Sequence, residues 1–443
     1  MPGQMASLSA IRLETLLGGT PILAIMRRMP PTELLRATTE EEIGREIVRL
    51  VPQWYEANGG PNESSIPIGQ FSASFYHHDR FAPELAALFD RICARTRELQ
   101  VERFLEYPGV IDVVVESFAI EWLRMHAAQT DWVRLLNYLE TVARRTHENI
   151  PVALTLLIQP GTGHGDITQA RLQRFFDRLA ASPFTFTYLA VDPDLRLLHY
   201  GSVEWSQVNN ATSHKFYPEF LHPIHSAMNA DDLVAHVTSR GELVIMNKAG
   251  VLATKRKKKW KIYDAQNLAN SVSCCLGNRA TALNLLEVVF DLSFRRQGAL
   301  LVYDPDNSVL PRILNPETIL SPTCHRNGQA AQVGEYGQAL VRRSIEDIAL
   351  GQVPGSLRKK RQLIEIASID GAVVFDDDHV LAIGALIRSH PNVGSQSGAR
   401  TTAARSAYLW GARPIKVSSD GEVMVYFKSR SDEQEYDAVL NLL

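Results

Sequence analysis

The sequence predicts an α/β protein in three parts: a mainly helical region over residues 1–149, an α/β to β-rich region over 150–270, and a mixed-sheet α/β domain over 278–443. Three observations predict it. Apolar residues recur at helical spacing in the first part. Short strand-like runs punctuated by Gly, Pro and Asp fill the second, and strand-length and helix-length segments alternate through the third. A chain of 443 residues with 45% hydrophobic content is long enough for roughly three domains.

In the first part, Leu85, Leu88, Phe89, Ile92 and Leu99 share a helix-compatible face across Pro83–Leu105. A longer helical stretch over Ile111–Arg145 breaks near Thr130-Asp131, where either side chain can cap a new helix. Gly59-Gly60-Pro61-Asn62 marks a loop between helices. His77, His78 and Asp79 are metal-ligand types, but without a second cluster at a fixed spacing a loop histidine pair is the simpler account.

The second part opens with a strand over Val152–Ile158, the loop Pro160-Gly161-Thr162-Gly163-His164-Gly165-Asp166, and a helix over Thr168–Ala180. Strand, glycine loop and helix in that order can cradle a phosphate. The loop lacks both the Gly-Lys-Ser/Thr ending and the Gly-x-Gly-x-x-Gly spacing, so a structural connector is favoured, with His164 and Asp166 the residues to watch. Phe186–Val191 and Leu195–Tyr200 read as a hairpin around Asp192-Pro193-Asp194. The basic run Lys255-Arg256-Lys257-Lys258-Lys259-Trp260-Lys261 can bind a phosphate backbone and stack a base. An exposed hairpin or edge strand whose lysines discourage edge pairing is the favoured reading.

In the third part the pattern gives a helix over Leu283–Arg296, a strand over Ala299–Tyr303, and loops plus one helix within Pro305–Arg343. A helix over Leu363–Ser368, strands over Ala372–Phe375 and Val380–Leu386, a helix over Thr402–Trp410, and strands over Pro414–Val417 and Glu422–Phe427 follow. Asp376-Asp377-Asp378 reads as a solvated turn. Two short motifs stand out: Asp370-Gly371-Ala372 at a strand start, and Gly398-Ala399-Arg400-Thr401-Thr402-Ala403-Ala404 opening a helix. Taken alone, Asp-Gly is a common turn and Gly before a helix a common cap. Their order within a matching β/α pattern shifts the balance toward nucleotide binding.

This order and these motifs resemble the diadenylate cyclase (DAC) domain, which joins two ATP molecules into cyclic di-AMP. Family members carry Asp-Gly-Ala and later Gly-Thr-Arg-His-Arg-Ala-Ala. Gly398, Arg400, Ala403 and Ala404 match, while Ala399, Thr401 and Thr402 stand where the family has Thr, His and the second Arg. A family Ser followed by acidic residues on the penultimate strand is met by Ser418 and Asp420, with Ser419 in one acidic place. The resemblance covers a little over a third of the chain. It implies Asp370 and Arg400 as catalytic residues, and Gly371, Ala372, Gly398, Ala399, Arg400, Thr401, Thr402 and Ser418 around the nucleotide. It also implies Mg²⁺ or Mn²⁺ held by Asp370 and Asp420, ATP as substrate, and a homo-oligomer with DAC-like domains face to face.

The chemistry explains these residue types. Joining a 3′-hydroxyl to an α-phosphate needs a metal ion, neutralised triphosphates and in-line placement. A carboxylate such as Asp370 is a hard oxygen ligand for the metal and can help deprotonate the hydroxyl. Gly398 admits a phosphate to the backbone, and Arg400 supplies a guanidinium fork. Thr401 and Thr402 can hydrogen-bond phosphates but bring no charge.

The net charge of -3 gives no global attraction to nucleic acid or anionic membrane. The family includes a DNA-sensing member, but its separate DNA-binding helix pairs are not visible here. Cys93, Cys274, Cys275 and Cys324 show no Cys-x-x-Cys spacing, which fits a reduced cytoplasmic compartment. No apolar run approaches the ~20 residues that span a bilayer, and no secretory leader pattern opens the sequence, so a soluble protein without membrane contact is expected. Two functional classes remain: an enzyme that makes cyclic di-AMP or a related cyclic nucleotide, and a DAC-like sensor that binds a nucleotide without turnover.

Overall fold

The computed structural model describes residues 23–28, 62–68, 71–77, 108–147, 149–168, 186–204, 216–277, 279–320, 363–376, 380–394, 396, 398–431 and 434–442. The chain is a mixed α/β protein with two mixed sheets, in two compact units: residues 1–209 with 219–267, and residues 210–218 with 268–443. No helix among the described residues is long and apolar enough to cross a membrane.

Near the start of the region expected to be mainly helical, the described residues are strands. Strands β1 (Leu23–Arg28), β2 (Asn62–Ile68) and β3 (Phe71–His77) form an antiparallel sheet with β3 in the middle. The signal was present: Phe71, Ala73 and Phe75 alternate with Ser72, Ser74 and Tyr76, a period of two. His77 therefore ends a strand, while His78, Asp79 and the helix expected over Pro83–Leu105 lie outside the described residues.

Helices α1 (Pro108–His126) and α2 (Trp132–Ala143) reproduce the expected break, with the Asp131 carboxylate capping α2 by accepting the Arg134 N–H at 3.2 Å. After a two-residue ladder, β4 (Thr146–His147) with β5 (Ile150–Pro151), come β6 (Leu154–Ile158), β7 (His164–Asp166), β8 (Thr187–Val191) and β9 (Arg196–Ser202). A short helix α3 (His222–Ala227) leads to β10 (Leu233–Val237), β11 (Leu243–Asn247), β12 (Gly250–Arg256) and β13 (Lys259–Ile262). The sheet order is β13-β12-β11-β10-β6-β8-β9-β7, parallel only at β6 and β8 among the described pairs. Phe118, Trp122, Trp132 and Leu139 pack with Leu156, Ala235, Ile245 and Trp260, so residues 108–143 share one core with this sheet. The buried Trp122 indole N–H donates to the Leu252 carbonyl at 2.9 Å.

The glycine loop is a connector. Its His164–Asp166 segment is β7, paired with β9, and the Gly163 N–H donates to buried Asp192 at 2.9 Å. A Cβ at Gly163 would lie 2.5 Å from the Arg196 carbonyl oxygen, so close backbone approach requires this glycine. Asp166 pairs with Arg134 and also caps the Thr168 N–H at 2.9 Å. The basic run forms the β12–β13 hairpin, turning at Lys257 and Lys258, both with positive φ. Lys255 is held between Glu116, at 3.3 Å, and Glu140, and lies 5.1 Å from the Trp260 ring centroid. Trp260 is buried and has no face free for a base.

His236 on β10 is buried, and its Nδ1 lies 2.9 Å from the Thr155 hydroxyl. Burial pushes its pKa down from 6.5 to about 3. The unfolded chain takes up this proton near 6.5, so the stabilisation from a neutral His236 is complete above that pH and is lost as pH falls toward about 3. The slope contributed is up to about 1.4 kcal/mol per pH unit. Denaturant titrations of wild type between pH 7 and 4 are expected to show this loss, and His236→Gln a flatter profile.

The second unit contains α4 (Ala265–Leu276, from Leu268 onward), α5 (Arg279–Arg295), β14 (Ala299–Tyr303), β15 (Ala372–Phe375) and β16 (Val380–Ala385). It continues with α6 (Ala399–Leu409), β17 (Arg413–Val417), β18 (Val423–Ser431) and β19 (Gln434–Asn441). Residues 363–367 are helical as expected. Single 3₁₀ turns occupy Leu310–Arg312 and Pro316–Thr318, and residues 321–362 lie outside the described set. The sheet order is β16-β15-β14-β17-β18-β19, with β14 parallel to β15 and the other pairs antiparallel. Leu300 and Val302 pack against Ala404, Ala407 and Tyr408 of α6. The alternate residues Leu301, Ile415, Val417 and Val425 are buried on the opposite face. The far end of α6 is fixed by Trp410, whose ring is stacked by Arg312 at 4.5 Å and met edgewise by His390 at 4.3 Å.

Candidate functional site

The strand register brings the two motifs together at one end of this sheet. The β14–β15 pairing aligns Leu301 with Val373, and the β14–β17 pairing aligns Ala299 with Val417. Continued to the strand ends, these registers place Gly298 between Asp370 on one side and Ser418 on the other. Helix α6 begins above this end. Gly398, at φ 95°, is its N-cap, so the helix starts earlier than the expected Thr402 and takes Arg400 and Thr401 into its first turn.

Arg400 reaches back to the sheet. One of its guanidinium nitrogens is 3.8 Å from an Asp370 carboxylate oxygen, so the two residues named as catalytic share one site. The Asp370 side chain is 97% exposed and that of Arg400 38%, so the pair is loose and solvent-screened. A Cβ on Gly298 would sit 2.6 Å from an Arg400 terminal nitrogen, which means that the guanidinium lies directly on the Gly298 backbone. The Arg400 Nε is buried with no hydrogen-bond partner.

The other expected site residues have specific local roles. Gly371 takes φ 104°, and a Cβ there would be 2.5 Å from the Gly384 carbonyl carbon, so this glycine serves the β15–β16 crossing. Ala372 is buried in the core, so only its backbone faces the site end. Ala399 is exposed in the first turn of α6. The Thr402 hydroxyl donates to the Gly398 carbonyl at 3.2 Å, and Thr401 Oγ1 accepts from Lys416 Nζ at 2.9 Å. Ser418 and Asp420 lie in the β17–β18 turn rather than on a strand. There the Ser418 hydroxyl donates to the Asp420 carboxylate and accepts the Glu422 N–H at 3.2 Å. The end of α5 secures this turn: Ser293 donates to the Gly421 carbonyl, and Arg296 to the Asp420 carbonyl at 2.6 Å.

Two participants escaped the sequence reading. Gly298 has no motif around it, and only the approach of the Arg400 guanidinium marks it. Lys416 did leave a signal, as a charge inside the apolar run Pro414-Ile415-Lys416-Val417.

Among the described residues no three His, Cys, Asp or Glu side chains cluster as a ready-made metal site. The donor set at this sheet end still suits Mg²⁺ or Mn²⁺ arriving with a nucleotide. Such ions are held by one or two carboxylates plus substrate phosphates and water, and Asp370 offers an exposed carboxylate.

No protein-family description matches the chain, and no curated protein matches it in sequence. Among solved structures, a hypothetical membrane spanning protein from Bacillus cereus is similar over 39% of this chain and 74% of its own, at 17% identity and a TM-score of 0.23. A double mutant of DacA from Staphylococcus aureus is similar over 34% of this chain and 81% of its own, at 16% identity and a TM-score of 0.19.

Proposed function

We propose that residues 278–443 bind ATP at the Asp370–Arg400 end of the sheet and, with Mg²⁺ or Mn²⁺, join two ATP molecules into cyclic di-AMP. The observation that carries this reading is the 3.8 Å meeting of Asp370 and Arg400, two residues that match the two separate diadenylate cyclase motifs. An exposed ion pair of this kind contributes roughly 0–1 kcal/mol, so an incoming triphosphate can replace it at little cost. Arg400 then turns its fork to phosphate oxygens, and Asp370 is released to hold the metal and to orient a 3′-hydroxyl. The metal supplies charge neutralisation of the phosphates. Each 3′-hydroxyl attacks the α-phosphorus of the other ATP, and two pyrophosphates leave. One site holds one ATP, so the reaction needs two copies face to face.

A nucleotide sensor is the second reading, favoured by Thr401 and Thr402. Both hydroxyls are engaged within the protein and neither brings positive charge to a developing transition state. The two readings separate on incubation with ATP and either metal, followed by mass spectrometry. The enzyme is expected to give cyclic di-AMP and pyrophosphate at a specific activity that rises with protein concentration. Binding without product selects the sensor, and equal specific activity from a strict monomer contradicts the face-to-face arrangement.

A further inference from the structure

Lys416 is placed in the sheet where apolar residues surround it. On β17 its neighbours across the strands are Leu300 and Met424, and it shares the sheet face covered by α6. An ammonium half-buried in such a row loses hydration, a cost normally offset by an acidic partner. No carboxylate pairs with it among the described residues. Its protein contact is the neutral Thr401 hydroxyl at 2.9 Å, which leaves two of its three donors for something else. That hydroxyl belongs to the residue following Arg400, so the ammonium and the guanidinium stand at the same turn of α6, above the same strand ends.

Asp370, on its exposed and loose pair with Arg400, is the one acidic side chain shown to engage this pair of cations, and it does so only through Arg400. Two cations, a neutral hydroxyl that aims one of them, and an exposed approach form an arrangement suited to a polyanion. We propose that Lys416, aimed by Thr401, is a triphosphate-binding residue that works alongside Arg400. This inference rests on the ATP-binding reading and adds to it a cation that Thr401 and Thr402 do not supply. A point charge with rotatable donors suits the terminal phosphates, leaving bidentate contact to Arg400.

The test uses the full chain with Mg²⁺ and measures affinity for ATP, for inorganic tripolyphosphate and for adenosine by calorimetric titration. Lys416→Met is expected to weaken ATP and tripolyphosphate about tenfold or more, the range of a lost charge-assisted hydrogen bond, and to leave adenosine unchanged. Lys416→Arg should retain most of the affinity, and Thr401→Val should fall between. The ligand-free melting temperature of Lys416→Met should equal or exceed that of wild type, which a purely structural lysine would not give. If Lys416→Met does not fold, the loss in Thr401→Val and the retention in Lys416→Arg decide the matter. Wild-type affinity in both Lys416→Met and Thr401→Val, with loss in Arg400→Ala, overturns the role of Lys416 and leaves the ATP site standing. A wild-type chain that binds neither ATP nor tripolyphosphate overturns both.

Discussion

Arg400→Ala is expected to remove half or more of the thermal protection that ATP gives this protein, with or without metal. A ligand at 100 times its dissociation constant stabilises by about 2.7 kcal/mol. Losing one charge-assisted fork of about 1.5–3 kcal/mol raises that constant by about 10- to 150-fold, enough to erase between about half and about nine-tenths of the shift at the same concentration. Asp370→Asn is expected to behave differently. It removes the carboxylate that holds the metal, so the metal-dependent part of the protection goes while metal-free binding is kept. Because the Asp370–Arg400 pair is exposed, neither change should move the ligand-free melting temperature much. Melting curves of the three proteins with ATP, with ATP and Mn²⁺, and without ligand check both statements. Equal ligand shifts in all three would count against the site.

Gly371→Ala should act through folding instead. The residue needs φ 104°, which costs a side chain about 1–3 kcal/mol, and its Cβ would be 2.5 Å from the Gly384 carbonyl carbon, where only backbone can yield. A loss of about 3 kcal/mol, or a fall of on the order of 10 °C in the melting of this unit, is expected. The neighbouring Asp370→Ala should leave that melting nearly unchanged. Adjacent positions of one motif thus divide in what they are expected to do: Asp370 is the exposed carboxylate proposed to take part in the chemistry, and Gly371 allows the close backbone approach between β15 and β16 beside it.

The strands that carry the site were legible because each is short, apolar and bounded by turn residues. Ala299–Tyr303 and Ala372–Phe375 are observed with the expected bounds. The break between α1 and α2 was legible because Asp131 is a strong cap. Elements with weaker local signals were missed. Helix α4 carries Leu268, Ala269, Val272 and Leu276 at helical spacing, but Ser, Asn and Cys between them mask its amphipathic pattern. Strand β19 was not anticipated, although it pairs with β18 along its whole length. The site was legible as motifs, not as geometry. Nothing local in the sequence says that Arg400 will rest on Gly298 or that Lys416 will reach Thr401, because both contacts depend on strand register and on how α6 crosses the sheet.

A crystal structure of the protein with a non-hydrolysable ATP analogue and Mn²⁺, with the metal located by its anomalous signal, tests nucleotide binding at the Asp370–Arg400 pair most directly. Mn²⁺ is expected on the Asp370 carboxylate at about 2.1 Å, the distance typical of small divalent ions on oxygen, with the Arg400 fork turned from Asp370 onto phosphate oxygens. Nucleotide and metal bound elsewhere, with the Asp370–Arg400 pair still closed, would contradict binding at this pair.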